Sequence, residues 1–210
     1  KKESVIFKGE DNSYYEKIGD TVTCIDEELP FDIPDNWEWI RLSSACIINP
    51  KNCIDDDTGV SFVPMTLIQD GYANAFTFEQ RKWSAVKKGF THFAENDVGF
   101  AKITPCFENR KSVVFRGLCN GYGAGTTELH ILRAYPDTIL PDYFLYLVKT
   151  ESFISGGKQT FSGAVGQQRV GKEYVYNYLC PIPPLSEQKR IIEKCSKILT
   201  ILHSVEKNLS

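Results

Sequence analysis

A polar run near residue 167 carries side chains that could read nucleic acid. Gln167, Gln168 and Arg169 follow a stretch with two glycines, residues 162–166, and Lys158 lies shortly before it. In the DNA major groove a glutamine amide pairs with adenine and an arginine guanidinium with guanine, each good pair contributing about 1–3 kcal/mol of discrimination. The alternative is that the two amides satisfy backbone groups of their own loop. The residue types alone leave both interpretations open.

A second group of basic side chains lies between residues 81 and 90, interleaved with Trp83 and Phe90. It consists of Arg81, Lys82, Lys87 and Lys88. Across residues 81–116 eight Lys and Arg stand against three Asp and Glu, a local excess that favours a polyanionic partner. The alternative is an ordinary charged face exposed to water.

A set of charged residues could belong to a metal-dependent nuclease. Asp97, Glu108, Arg110 and Lys111 offer acidic ligands and basic groups for a scissile phosphate. Their spacing is unspecific, and a carboxylate here can instead pair with a nearby arginine or lysine. We therefore predict no catalytic residues and no metal site.

The glycine-rich stretch 121–125 resembles a nucleotide-binding loop only superficially. It lacks the third glycine of a dinucleotide fingerprint, and a predicted strand follows it where a phosphate site needs a helix N-terminus. Glycines here are better explained by positive φ angles or close packing, and no cofactor is expected.

Length and composition restrict the class of protein. The 210 residues, with 24 Lys and Arg and 27 Asp and Glu, fit one large domain or one domain with an appendage. The charge is uneven, with 6 basic and 14 acidic side chains in residues 1–60 but 18 and 13 in residues 61–210. No apolar run reaches the roughly 18 residues of a membrane span. Seven cysteines without a C-x-x-C pair favour reduced thiols, so we expect a soluble, cytoplasmic protein.

Short strands separated by turns are predicted along most of the chain. We predict an N-terminal arm or hairpin over residues 1–30 and a main domain over residues 31–184 with strands at 60–63, 98–103, 112–115, 128–132 and 174–179. One internal helix is expected from Pro141 to about Phe153. Long loops are expected over 66–89 and 155–172. The predicted fold class is α+β, mostly β, with long loops.

The C-terminal segment 185–210 has the clearest pattern. Two prolines at 183 and 184 end the preceding strand, Ser186 is a good N-cap, and a helix should begin at Glu187. Apolar residues then follow a heptad spacing typical of a coiled coil, at Ile191, Cys195, Ile198, Leu202, Val205 and Leu209. This stripe could pack on its own domain or pair with another helix. Because the chain starts without Met and stops within this helix, it reads as a fragment or a trimmed chain.

Six motifs in series resemble the target recognition domain of a type I restriction-modification specificity subunit. They run in consistent order from about residue 31 to the C-terminus, and together they are specific although each alone is weak. The motifs are 33–42 IPDNWEWIRL, 62–65 FVPM, 93–109 FAENDVGFAKITPCFEN, 125–128 GTTE, 163–169 GAVGQQR and 183–188 PPLSEQ.

The resemblance implies a DNA-recognition domain followed by a long spacer helix that pairs with another helix. A complete subunit of this family resembles two such units, each reading half of a bipartite site in double-stranded DNA, and it docks methyltransferase and restriction subunits that carry out the chemistry. One unit is present here. The chain is therefore expected to work with a second recognition domain in cis or to form a homodimer through the C-terminal helix.

The resemblance also bears on the candidate sites found from the residue types. Motifs shared by subunits of different DNA preference cannot dictate the sequence read, so discrimination is expected from residues 66–89 and parts of 133–162. Residues 167–169 lie in a shared motif, so they could instead contact the DNA backbone or position a loop. The expected DNA contacts are Arg81, Lys82, Lys87, Lys88, Lys158, Gln167, Gln168 and Arg169. The alternatives are a DNA methyltransferase or nuclease fragment and a pure assembly adaptor.

Overall fold

A computed structural model describes residues 4–164 and 166–209. In chain order the strands are β1 Ser4–Lys8, β2 Tyr14–Ile18, β3 Thr21–Cys24, β4 Glu38–Arg41, β5 Cys46–Ile48, β6 Gly59–Val63, β7 Glu79–Lys82, β8 Thr91–Ala94, β9 Val98–Ala101, β10 Ser112–Val114, β11 Tyr122–Gly125, β12 Leu129–Ala134 and β13 Leu179–Ile182. The helices are α1 Leu42–Ala45, α2 Trp83–Val86, α3 Pro141–Val148, α4 Glu151–Gln159, α5 Lys172–Asn177 and α6 Leu185–Leu209. The predicted α+β class is confirmed.

Two four-stranded sheets form the centre of the domain. The first core sheet has the order β10-β9-β12-β5 and the second core sheet the order β7-β6-β11-β8, in which β6 and β11 are parallel. Between them, the rings of Phe93 and Phe115 stack with centroids 3.7 Å apart. A Cβ at Gly123 would lie 2.1 Å from Phe93, its partner on the neighbouring strand β8, so the glycine makes room for this ring.

Side chains alternate between the two faces of the first core sheet, as the period of two in a strand requires. Ile131 points into the cluster between the sheets, whereas Leu132 points into a cluster with helices α3 and α4. Phe144 and Phe153 are fully buried in that second cluster. The domain therefore has three layers, and short, apolar β9 is buried on both faces.

The N-terminal sheet, β1-β2-β3, packs against the main domain. The Arg41 guanidinium donates to the Glu16 carboxylate, with its shortest bond at 2.7 Å. Ile25 and Trp39 share a buried cluster with Leu179. Contacts therefore cross the predicted boundary near residue 31, and the division into three segments stays a prediction.

Segments 141–153 and 174–179 both differ from expectation. The predicted strand 174–179 is instead helix α5 followed by strand β13, because a short apolar run with Val175 on one face suits either period. The single helix expected over 141–153 is two helices. Thr150 separates them, since its hydroxyl accepts from the amide of Phe153 as an N-cap of α4.

The segments expected to be long loops contain regular structure. Residues 66–89 include β7 and α2, and residues 155–172 include the end of α4. Glycines at 156 and 157 weaken the helical signal, but a Cβ at Gly157 would lie 2.5 Å from Phe107, so close packing requires the glycine.

The glycine-rich stretch 121–125 has the geometry expected of it. Gly121 has a φ of 75°, and a Cβ at Gly125 would lie 2.4 Å from the carbonyl oxygen of Val63. Positive φ and close packing, the explanation that the sequence favoured, are confirmed.

Helix α6 begins two residues earlier than predicted, at Leu185. Pro184 supplies its first acceptor, since the amides of Glu187 and Gln188 both donate to the Pro184 carbonyl at 2.9 Å. Ser186 is therefore inside the helix, and its predicted role as N-cap is wrong. Among the described residues no helix is long and apolar enough to cross a membrane, and no two cysteines are joined by a disulfide.

Candidate nucleic-acid interface

The first candidate surface lies on strand β7 and helix α2. Trp83 and Val86 are buried against the outer face of the second core sheet, which fixes the short helix. Their neighbours are consequently left at the surface. Arg81, Lys82 and Lys88 are exposed and Lys87 is half-buried.

Acidic partners compensate most of this surface. Arg81 pairs with Glu79 at 2.7 Å, Lys82 with Asp57 at 2.8 Å, and Lys87 with Asp56 at 2.6 Å. The Arg81 guanidinium also lies 3.8 Å from the centroid of the Phe62 ring. The acidic turn 55–57 thus supplies counter-charges to this surface.

Acidic side chains also neutralise most of the other basic residues in the stretch 81–116. Arg110 pairs with Glu151, Lys111 with Asp70 at 3.6 Å, and Arg116 with Asp142 at 2.6 Å. In the described part of the chain Lys88 and Lys102 are the basic residues of this stretch without an ion pair within 4.0 Å. The local excess of positive charge in the sequence is therefore largely neutralised in space.

The second candidate surface is the loop that carries Gln167, Gln168 and Arg169. Arg169 pairs through its backbone with Ser162, with N–O distances of 3.1 and 2.9 Å, which closes the loop. The Gln168 carbonyl accepts from the amide of Thr104 at 2.9 Å, which attaches the loop beside the end of β9. Val165 in this loop lies outside the described residues.

The side chains of this loop differ in how far they are exposed and in whether they already have hydrogen-bond partners. Gln167 is exposed and Gln168 half-buried. The Arg169 guanidinium donates to the Glu128 carboxylate at 2.8 and 2.7 Å and to the carbonyl of Gln167 at 2.8 Å. Hydrogen bonding to Arg169 lowers the pKa of Glu128 and keeps it charged. Lys158, at the end of α4, pairs with Glu108 at 3.0 Å.

The two candidate surfaces lie toward opposite ends of the second core sheet. Lys82 is paired with Gly59, the first residue of β6, whereas Gly125 is paired with Val63, the last residue of β6. Four residue steps along β6 separate these pairs by roughly 13 Å. Glu128, which holds Arg169, follows three residues after Gly125. The eight expected contacts therefore lie in two groups on different segments of the fold, and their role in binding DNA stays a prediction.

The residues of the nuclease alternative have separate partners. Asp97 is 2% exposed and accepts from Arg133 at 2.8 and 2.7 Å, while Glu108 pairs with Lys158. Burial raises the pKa of Asp97, although the hydrogen bonds and the charge of Arg133 act to lower it. Within residues 4–164 and 166–209, no three Asp, Glu, His or Cys side chains are grouped so that they could hold a metal ion. Pairing of these carboxylates with basic residues, the alternative in the sequence, is what the structure shows.

Helix α6 divides its apolar stripe between two environments. Ile191 packs against the main core, and Cys195 is half-buried beside it. Farther along the helix Ile198, Leu202 and Val205 are 57%, 52% and 48% exposed. The side chain of Leu209 lies outside the described residues. The beginning of the stripe is therefore packed on its own domain, whereas its later half is open, and pairing of that half with another helix stays a prediction.

The family model described as Type I restriction modification DNA specificity domain matches residues 34–209. The chain belongs to this family.

Two curated specificity subunits are similar in sequence. The Type I restriction enzyme EcoAI and EcoEI specificity subunits of Escherichia coli are each 44% identical over 182 residues, or 86% of this chain. The chain spans 31% of the length of each of these relatives. The resemblance to type I specificity subunits seen in the motifs is thereby confirmed.

Solved structures agree on the fold. The HsdS subunit from Thermoanaerobacter tengcongensis has a TM-score of 0.69 at 20% identity, covering 85% of this chain and 46% of its own. A chain from a structure of complex assembly and conformational transition in the type I R-M system has a TM-score of 0.69 at 21% identity, with the same coverage of both chains. The α+β architecture of this chain is thus that of known type I subunits.

Sequence reasoning did not single out three buried or paired residues of this specificity domain. They are Glu128, which holds Arg169, Lys149, which binds backbone carbonyls, and Gln188, which ties α6 to the domain. Glu128 and Gln188 stand in motifs 125–128 and 183–188, which is a signal that could have drawn attention to them. Lys149 has no comparable signal, because a lysine after a helix is usually exposed.

Proposed function

We propose that this chain is one DNA-recognition unit of a type I restriction-modification specificity subunit and reads one half of a bipartite site in double-stranded DNA. The match of residues 34–209 to the specificity-domain family carries this proposal. The 44% identity to two specificity subunits supports it over a length that excludes a chance match of single motifs. The unit itself is proposed to be non-catalytic and to act in the cytoplasm.

The loop at residues 162–169 supports a role in contacting DNA. Gln167 is exposed on a loop closed by backbone hydrogen bonds, a presentation that reduces the entropy lost on binding. Arg169 is engaged with Glu128, which favours its role in positioning the loop. Lys158 and Gln168 flank the same loop and remain proposed contacts.

The surface on β7 and α2 supports a weaker, phosphate-contacting role. Lys88 has no ion pair within 4.0 Å among the described residues and can approach a phosphate at little cost. Arg81, Lys82 and Lys87 must share or exchange their carboxylate partners when DNA binds. We therefore expect Lys88 to contribute most of the salt-dependent affinity of this surface.

Assembly is proposed to use the open part of helix α6. The three exposed side chains Ile198, Leu202 and Val205 continue the heptad stripe beyond the domain. A second recognition unit, in cis or in a second copy of the chain, would cover them. Methyltransferase and restriction subunits are proposed to dock on the assembled subunit and to supply the catalysis.

Selection from a duplex library with a randomised centre tests the proposal. The 210-residue chain should enrich one sequence pattern, and a duplex carrying it should bind more tightly than a scrambled duplex. Lys88→Ala should weaken both duplexes and reduce the slope of log affinity against log salt by up to about one. Lys87→Ala should have a smaller effect because its partner is Asp56.

Lys17→Ala provides the matched control, since Lys17 is exposed on the N-terminal sheet. It should leave affinity and salt slope unchanged. Failure to enrich any sequence, with retained binding to a second recognition unit, would favour the assembly adaptor. Methyl transfer from labelled S-adenosylmethionine or DNA cleavage with Mg²⁺ by the pure chain would instead identify an enzyme fragment.

A further inference from the structure

Lys149 is a fully buried lysine in an unusual environment. It follows the last residue of helix α3 and is 0% exposed. Its Nζ donates to the carbonyl oxygens of Gly71 at 2.6 Å, Arg110 at 3.0 Å, Ser112 at 3.1 Å and Ala73 at 3.2 Å. No carboxylate lies within 4.0 Å of it among the described residues.

Removing the Lys149 ammonium group from water costs desolvation free energy, which its hydrogen bonds to the carbonyl oxygens offset. Burial, with a smaller contribution from the charge of Arg110, lowers the pKa of Lys149 to about 7. Three N–H groups then face four acceptors, so every donor is satisfied. A methionine of similar length would fill the same space without desolvating a charge. The lysine is consequently better explained by the segments it joins than by core packing.

The segments that Lys149 joins are a surface loop and the edge of the first core sheet. We call residues 69–75 the tethered loop. Two of the four acceptors, Gly71 and Ala73, belong to it, and the other two are Ser112, the first residue of β10, and Arg110, two residues before it. The loop is also attached by the Gly71 amide, which donates to the Asn109 carbonyl at 2.8 Å, and by Asn74 Oδ1, which accepts from the Val114 amide at 3.0 Å. The ion pair of Asp70 with Lys111, at 3.6 Å, adds a third contact.

The tethered loop presents side chains able to contact bases. Gln69 is exposed, and Tyr72 is 51% exposed with the Arg110 guanidinium 5.5 Å from its ring centroid. An amide and a phenol both donate and accept hydrogen bonds. The loop lies within residues 66–89, where base discrimination is expected. Its backbone is fixed from beneath while these side chains face outward.

We propose that Lys149 is a positioning residue for base recognition, which holds the tethered loop so that Gln69 and Tyr72 meet the DNA in one fixed arrangement. This inference rests on the proposed function. A preorganised loop binds the correct bases with less loss of entropy and penalises wrong ones, whereas a loose loop adapts to several sequences. Lys149 itself, being buried, does not touch DNA.

The experiment compares Lys149→Met with Gln188→Met in the full chain. Gln188 is also 0% exposed, and it makes three hydrogen bonds to the backbone of Leu140, Thr138 and Pro183, away from the loop. Each variant is taken through selection from the randomised duplex library. Affinities are then measured for the duplex enriched by the unmodified chain and for its scrambled form.

Lys149→Met should lower the ratio of these two affinities by about tenfold, the effect of losing one good base contact, and broaden the enriched pattern. Its salt slope should stay the same, because no phosphate contact is lost. Gln188→Met should keep the ratio. Hydrogen exchange at the Gly71 amide should accelerate in Lys149→Met only.

A second variant covers the case in which Lys149→Met does not fold. Asn74→Ala removes another attachment of the tethered loop and should lower the affinity ratio in the same direction. An unchanged ratio in the folded variants, or an equal loss in Gln188→Met, would overturn the proposal. If the unmodified chain enriches no sequence, the proposed function fails, and hydrogen exchange at Gly71 still decides separately whether Lys149 holds the loop.

Discussion

Arg169 and Glu128 form a two-point ion pair, with guanidinium nitrogens 2.8 and 2.7 Å from the carboxylate oxygens. The pair links the loop at residues 162–169 to the residue that precedes strand β12. A planar guanidinium and a carboxylate match in this geometry, which a lysine cannot reproduce. An arginine that looked like a base reader in the sequence is thus also a brace for its own loop.

The brace predicts energetic coupling between these two side chains. Arg169→Lys and Glu128→Gln should each accelerate hydrogen exchange in residues 162–169, and the double variant should lose little more than either single one. A double-mutant cycle of urea unfolding measures the coupling. Arg190→Met, which breaks the ion pair of Arg190 with Glu187 on helix α6, is the control. If only Arg169→Lys weakens binding to the selected duplex, Arg169 contacts DNA directly.

His130 predicts how stability depends on pH. Its ring is 5% exposed, and Nδ1 lies 3.1 Å from Asn49 Nδ2, whose amide oxygen already accepts from Ile131. Because an amide nitrogen only donates, Nδ1 must be an unprotonated acceptor. Burial, with Lys102 and Lys172 adding to it, lowers the pKa of His130 to about 4 from 6.5.

Between pH 6.5 and about pH 4, His130 therefore binds a proton in the unfolded chain but stays neutral in the folded chain. The contribution of His130 to the free energy of unfolding is complete above pH 6.5 and falls by about 3 kcal/mol on reaching pH 4. Urea unfolding across this range measures it. His130→Phe should be less stable at pH 7 but should lack this part of the pH dependence. Equal slopes in both proteins would contradict the assignment.

The exposed half of helix α6 predicts an association that can be removed without unfolding the domain. Leu202→Lys places a charge in the open stripe and should abolish pairing with a second unit. The free energy of unfolding of the separate chain should change by less than about 0.5 kcal/mol, since Leu202 is 52% exposed. Sedimentation measures the association. Ser204→Lys, on the opposite side of the helix, should leave it intact, and a Leu202→Lys chain that still pairs would exclude this stripe.

Much of the architecture could be predicted from local patterns. The strands at 60–63, 98–103, 112–115 and 128–132 were placed within a few residues of the observed ones because β-branched and aromatic runs between turns are local signals. The same local signal failed at 174–179, where Val175 and its aromatic neighbours suit a helix or a strand equally. Tertiary packing against Phe153 favours helix α5 here, since the Tyr174 hydroxyl donates to the Phe153 carbonyl at 2.7 Å.

The candidate site was less predictable because its partners are distant in sequence. Lys87 and Asp56 are 31 residues apart, and Lys149 reaches Gly71 across 78 residues. Counting charges along the chain gave residues 81–116 a large excess, and the fold placed acidic residues from other segments against it. The spacing of residue types along the chain does not reveal ion pairs or hydrogen bonds between segments that are distant in sequence.

The family, the α+β class and the heptad stripe of the last helix can be predicted from the amino-acid sequence, since motifs and periodicity are properties of neighbouring residues. The fold was needed to show which half of that stripe is covered, which basic side chains have acidic partners, and that Lys149 is buried beneath the tethered loop. These depend on distances through space, because ion pairs and hydrogen bonds act between atoms in contact wherever their residues stand in the chain.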